Sequence, residues 1–251
     1  MEGRTYGTLR LNATKTAWVM TALEPHVAIR LKHIFPRVPK QSTGPFHFPN
    51  DLITAADLDW FVSRYPLAMK TVDRTALRSG RKFFERQQAE MERILLPDYV
   101  STPLGGLREG QEIRHYQTQA IELLRRRKSL LLGDEGGLGK TYTAAGFLCA
   151  EPGSLPAAVV CDPHMQQQWN DKVQAFTTLR THVIKQASPY DLPPADVYSF
   201  RISQIKGWTD IFATNFFKAA IFDEPQSLRT GTGTAKGAAA AVLSKHVLGY
   251  A

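Results

Sequence analysis

Residues 101–251 predict an α/β domain with a parallel sheet flanked by helices, preceded over residues 1–100 by a smaller α+β domain. Three observations predict it. Short apolar runs alternate with helix-forming stretches in the second part of the chain. A glycine-rich turn joins the first of those runs to a helix. A stretch holding Pro97, Pro103, Gly105 and Gly106 separates this part from a charged, helix-forming region before it. Strands alternating with helices build a parallel sheet covered on both faces. Ligands of such sheets bind at the carboxyl ends of the strands.

The bulk numbers agree with one large or two modest domains. The chain has 251 residues and 43% hydrophobic composition, enough for a substantial core. A net charge of +8 favours an anionic partner, of which nucleic acid is the usual one. The two cysteines, Cys149 and Cys161, have neither C-x-x-C nor zinc spacing and sit among apolar neighbours, which predicts buried free thiols in a reducing compartment. The first sixteen residues are polar and lack the apolar core of a signal peptide. No stretch reaches the apolar length of a bilayer span. A soluble, cytoplasmic protein without a membrane partner is expected.

From the N-terminus, residues 16–23 read as a strand, and Pro25 opens a helix through Ile34. Residues 35–50 hold Pro36, Pro39, Pro45 and Pro49 and are expected to be a loop. Thr54-Ala55-Ala56-Asp57 resembles a capping box, with a short helix to Arg64 after it and Pro66 ending it. Residues 72–95 are charged and helix-forming, with Leu77, Phe84 and Met91 seven apart along one seam. Arg74, Arg78, Arg81, Lys82 and Arg86 on this stretch suit either phosphate contacts or a solvated face. Trp60 and Phe61 are expected in the core.

In the second part, residues 130–132, 157–161, 197–200 and 219–222 are strand candidates. Arg125-Arg126-Arg127-Lys128 reads as a helix C-terminus complementing the dipole. The turn Asp134-Glu135-Gly136-Gly137-Leu138-Gly139-Lys140-Thr141 ends in the G-K-T of a phosphate-binding loop. Its glycines let successive N–H groups point at an anion, and the following helix adds its partial positive end. Lys140 can reach the outer phosphates, and the Thr141 hydroxyl can ligate magnesium. Asp134 stands where the strict pattern has glycine. A phosphate loop also needs an acidic element for the metal. Residues 219–224 supply it: four apolar residues, then Asp223 to hold magnesium and Glu224 to orient or deprotonate the attacking water.

The form D-E-x-G-L-G-K-T resembles motif I of superfamily-two helicases, specifically the Swi/Snf-type DNA translocases. Further pieces are similar in order. Arg114-His115-Tyr116-Gln117 resembles the adenine-reading motif, with Gln117 facing the adenine edge. Val159-Val160-Cys161-Asp162-Pro163 followed by His164 and Gln168-Trp169 resembles the segment that touches the DNA backbone. Asp223-Glu224-Pro225-Gln226 resembles the D-E-x-H box, with Gln226 in the place of the histidine that couples phosphate to DNA. Residues 246–251 resemble the start of motif III.

The resemblance, over roughly residues 108–251, implies a RecA-like P-loop lobe that uses ATP and Mg2+ and contacts DNA through its backbone. Lys140, Asp223 and Glu224 would be catalytic. Arg114, Gln117, Gly136, Gly137, Leu138, Gly139, Lys140 and Thr141 would bind nucleotide, Thr141 and Asp223 the metal, and His164, Gln168 and Trp169 the DNA. It also implies a second RecA-like lobe beyond residue 251. The stretch Asp59-Trp60-Phe61-Val62-Ser63-Arg64-Tyr65-Pro66-Leu67 is similar to the leader region of phage-encoded and bacterial relatives, which makes the first hundred residues an accessory domain with DNA recognition as one role. Two other classes stay open: a phosphate-loop kinase or small NTPase unconnected with DNA, and a binding module without turnover. DNA stimulation of hydrolysis separates them.

Overall fold

A computed structural model describes residues 4–247. The chain divides into two compact units, Met1–Arg93 and Ile94–Ala251, each with its own core.

In the first unit, β1 (Thr8–Leu11), β2 (Ala17–Thr21) and β3 (Phe46–Pro49) form an antiparallel sheet in the order β1-β2-β3. The polar N-terminus hides β1, because only Leu9 of its four residues is buried. Helix α1 (Pro25–Ile34) starts with Pro25 in its first turn, where a missing N–H costs nothing. β3 lies inside the segment expected to be a loop. Phe46 and Phe48 point into the core while His47 is exposed, and Pro49 is tolerated because β3 is an edge strand. Helix α2 (Leu52–Arg64) starts earlier than Thr54, because the cap is Asp51, whose carboxylate accepts the Thr54 N–H at 2.7 Å. Helix α3 (Thr71–Ile94) buries Leu77 and half-buries Phe84 and Met91, as the seven-residue seam predicts. Gly80 permits its approach to α2: a Cβ there would stand 2.7 Å from the Ala55 Cβ. Phe61 is in the core, but Trp60 is 41% exposed, with the Arg64 guanidinium 4.0 Å from its ring centre.

The second unit continues with α4 (His115–Arg127), α5 (Lys140–Ala150), β4 (Ala157–Cys161), α6 (Gln166–Phe176), β5 (Thr181–Val183), β6 (Val197–Arg201), α7 (Thr209–Phe212), β7 (Ala219–Phe222) and α8 (Ala235–His246). Its four strands are parallel in the order β5-β6-β4-β7. All five residues of β4 are buried. Ala158 and Val160 enter one core with Phe200, Trp208, Phe217 and Leu243, whereas Ala157, Val159 and Cys161 enter another with Phe147, Trp169 and Phe176. The alternation of β4 between two cores is the physical form of a sheet covered on both faces.

One strand expected in this unit is absent. Leu130, Leu131 and Leu132 form no strand, and Leu131 is 86% exposed. A strand exists only as part of a hydrogen-bonded ladder, and these residues have no partner strand among the described residues. The short β5 escaped notice because its three residues are all half-buried. Of residues 246–251, compared above with motif III, only His246 and Val247 are described; the other four lie outside the described residues.

Candidate functional site

The glycine-rich turn leads into α5 with Gly139 as its N-cap. Gly137 and Gly139 hold φ of 87° and 79°, in the left-handed region that favours glycine. At Gly139 a Cβ would also meet the Gln117 amide nitrogen at 2.8 Å. That contact shows how the loop is held. Gln117, 5% exposed, accepts the Arg114 N–H through Oε1 at 2.9 Å and donates through Nε2 to the Leu138 and Gly139 carbonyls at 3.3 Å each. Tyr116 donates its hydroxyl to the Leu138 carbonyl at 2.7 Å. Gln117 thus clamps the loop in this structure, with its amide turned to backbone rather than toward an open base site. The cue was in the sequence: glutamine three residues after the helix cap is the capping-box position.

Lys140, the first residue of α5, donates from Nζ to the Asp134 carbonyl at 2.7 Å and the Glu135 carbonyl at 3.4 Å. Its ammonium therefore sits over the curl of the loop. Thr141 follows, and its hydroxyl has no hydrogen-bond partner among the described residues.

The acidic element continues β7. The Asp223 N–H donates to the Val160 carbonyl at 2.8 Å, which extends the β4–β7 ladder and fixes the backbone. Its Oδ2 accepts the indole N–H of Trp169 at 2.7 Å. Trp169, read above as a DNA contact, is 3% exposed and packs in the core, with its indole N–H held by Asp223. His164 and Gln168 are exposed on the segment after β4. Glu224 is exposed at a left-handed φ of 53°, a conformation costing an ordinary residue about 1–2 kcal/mol. Gln226 donates from Nε2 to Glu224 Oε2 at 2.9 Å.

One cavity of about 580 Å³ brings Asp134, Lys140, Trp169, Asp223, Glu224 and Gln226 to a common wall, with the leucines at 130–132, of which Leu131 is exposed, and β7 along its apolar side. Gly136, Gly137, Leu138, Gly139 and Thr141 lie along the loop outside that lining, as do Arg114, Gln117, His164 and Gln168. Burial, then the charges of Asp223 and Asp162, pushes the Cys161 thiol up to about 12. Burial alone raises Cys149 to about 11. No group of three metal-ligating side chains occurs among the described residues. The Thr141 hydroxyl and the remaining Asp223 oxygen are hard oxygen donors of the kind magnesium takes with water and phosphate oxygens, so this donor set fits that ion.

A four-stranded parallel sheet flanked by helices, with a lysine-bearing glycine turn before α5 and a carboxylate pair at the end of β7, makes up a lobe of RecA-like fold. The fold is similar to that of the SWI2/SNF2 ATPase core of Sulfolobus solfataricus, solved in complex with double-stranded DNA, with a TM-score of 0.50 and 19% identity over 58% of this chain and 32% of that one. In sequence, the chain is similar to the protein suppressor of underreplication of Drosophila erecta, 28% identical over 112 residues. That match covers 42% of this chain and 12% of the fly protein, so the chain spans only a small part of its relative. No family model matches the chain. No helix among the described residues is long and apolar enough to cross a membrane.

Proposed function

We propose that the second unit is the ATP-binding lobe of a DNA-stimulated ATPase of the Swi/Snf type, which moves along or remodels duplex DNA. The observation that carries this reading is the single cavity wall shared by Lys140 of the loop and by Asp223 and Glu224 of the strand end. Lys140 neutralises the outer phosphates, exchanging two neutral carbonyl partners for a charge-assisted bond. The N–H groups from Gly137 to Thr141 line the start of α5, where its dipole favours an anion. Thr141 and Asp223 would hold magnesium, which would supply positive charge against that developing on the transferring phosphate. Glu224 orients the attacking water and accepts its proton, and Gln226, hydrogen-bonded to Glu224, transmits the state of the DNA surface carrying His164 and Gln168. A second RecA-like lobe supplies the arginines that complete the transition state, a contribution on the order of 10³–10⁵ in rate.

The test is nucleotide binding by the 251-residue chain. Lys140→Ala lowers ATP affinity at least tenfold, about 1.4 kcal/mol, while the fold stays intact by circular dichroism. With the second lobe present, Glu224→Gln abolishes DNA-stimulated hydrolysis and spares ATP binding. ATP affinity indifferent to Lys140→Ala overturns the phosphate-loop assignment, and hydrolysis indifferent to DNA moves the protein to the kinase or small-NTPase class.

A further inference from the structure

The first unit carries a row of cations that its fold leaves free. Lys70, Arg74, Arg78, Lys82 and Arg86 recur every four residues, and the Arg74 N–H donates to the Lys70 carbonyl at 3.0 Å, so the helical ladder of α3 runs through all five. Every one is exposed, and none forms an ion pair among the described residues. Steps of four residues rise about 6 Å and turn about 40°, which makes an oblique ridge about 24 Å long. It begins beside the Leu77 seam and ends on the opposite side of the helix.

The fold selects these charges. Between Asp73 and Glu90 the helix has one carboxylate, Glu85. Arg81, which is not in the row, takes it at 2.7 Å and takes Asp59 of α2 at 2.8 Å. Leu77 and Gly80 face α2 and the core of the unit, and the ridge runs away from them, so that Lys82 and Arg86 stand on the side of the helix that packing does not use. A merely solvated helix would alternate signs to gain i,i+4 pairs. Here the i,i+4 neighbours are like charges, which disfavours the isolated helix by a few tenths of a kcal/mol per pair. An anion that recurs along a line removes that repulsion.

We infer that this ridge binds the phosphate backbone of duplex DNA, independently of base sequence and of nucleotide. Its length matches about seven base-pair steps, at 3.4 Å of rise per phosphate of a strand. The choice of duplex DNA over other polyanions rests on the reading proposed for the second unit; the ridge itself does not.

The experiment is a titration of a labelled 20-base-pair duplex with the nucleotide-free 251-residue chain between about 50 and 200 mM salt. The row variant is Arg74→Gln, Arg78→Gln, Lys82→Gln and Arg86→Gln together. A control with equal charge loss in the same unit is Arg10→Gln, Arg30→Gln, Arg37→Gln and Lys40→Gln, all exposed positions. Glutamine matches arginine and lysine in helix propensity, so the row variant retains its helix. Each phosphate contact contributes about 0.9 to the slope of log affinity against log salt, so the row variant loses about three to four in slope and at least tenfold in affinity at 100 mM, and the control loses less than one in slope. Two unrelated duplex sequences give the same result. An unchanged slope in the row variant, an equal loss in the control, or no duplex binding by the parent protein at low salt overturns the inference. Failure of the ATPase reading appears elsewhere, in ATP binding and its response to Lys140→Ala.

Discussion

The phosphate loop and the acidic strand end face one cavity, yet the protein holds them by different means. The loop is held through its backbone: Gln117 and Tyr116 of α4 bond the carbonyls of Leu138 and Gly139. The strand end is held through a functional atom, because Trp169 of α6 donates to the Asp223 carboxylate itself. A loop anchored at its carbonyls would keep donors for an anion, and a carboxylate anchored at one oxygen would have the other aimed for a cation.

The largest expected effect tests the strand end. Trp169→Ala removes a core side chain and the only indole donor to Asp223, and costs about 3–5 kcal/mol of stability in a denaturant melt. A loss below about 1 kcal/mol would mean that α6 collapses into the gap and that Asp223 needs no anchor. Gln117→Leu tests the loop. It leaves the Arg114 N–H without its side-chain partner and takes one donor from each of the Leu138 and Gly139 carbonyls, which keep Tyr116 and the N–H groups of α5, and costs about 1–3 kcal/mol. ATP affinity should fall with it while the magnesium dependence of binding keeps its midpoint; a shift of that midpoint would show that the two halves are not separately held. The smallest effect is chemical. Burial raises Cys149 to about 11 and Cys161 to about 12, so at pH 8 the thiolate fraction is on the order of 10⁻³ and 10⁻⁴. Iodoacetamide labelling of the folded chain should therefore rise about tenfold per pH unit from 7 to 9 at both sites, with Cys149 the faster. Equal rates would remove the contrast between a thiol beside the loop helix and one under the carboxylates.

The residues that share the cavity wall were readable because spacing alone picks them out: a lysine after a glycine turn, carboxylates after an apolar run. Their supports were harder to read. Trp169 reads as a surface contact from its motif, and only the packing of α6 against β4 reveals it as a buried donor. Gln117 reads as a base reader, although its spacing from Arg114 also fits a helix cap. Among elements, long periodic stretches such as α3 were legible, and so were the apolar runs of β4 and β7. β1 and β3 were not, since one has a single buried residue and the other is masked by prolines. The residues at 130–132 show the opposite failure. Apolar composition predicts a strand, but strands are made by their neighbours.

The indole of Trp169 has one more consequence. Indole emission responds to nearby charge and to hydrogen bonding at its ring nitrogen, and here that nitrogen points at the carboxylate expected to change most when the site fills. The other three tryptophans, Trp18, Trp60 and Trp208, belong to neither half of the site. The protein therefore carries its own optical gauge of the strand end, and with the other three replaced by phenylalanine its colour and brightness would follow the state of Asp223 without any attached dye.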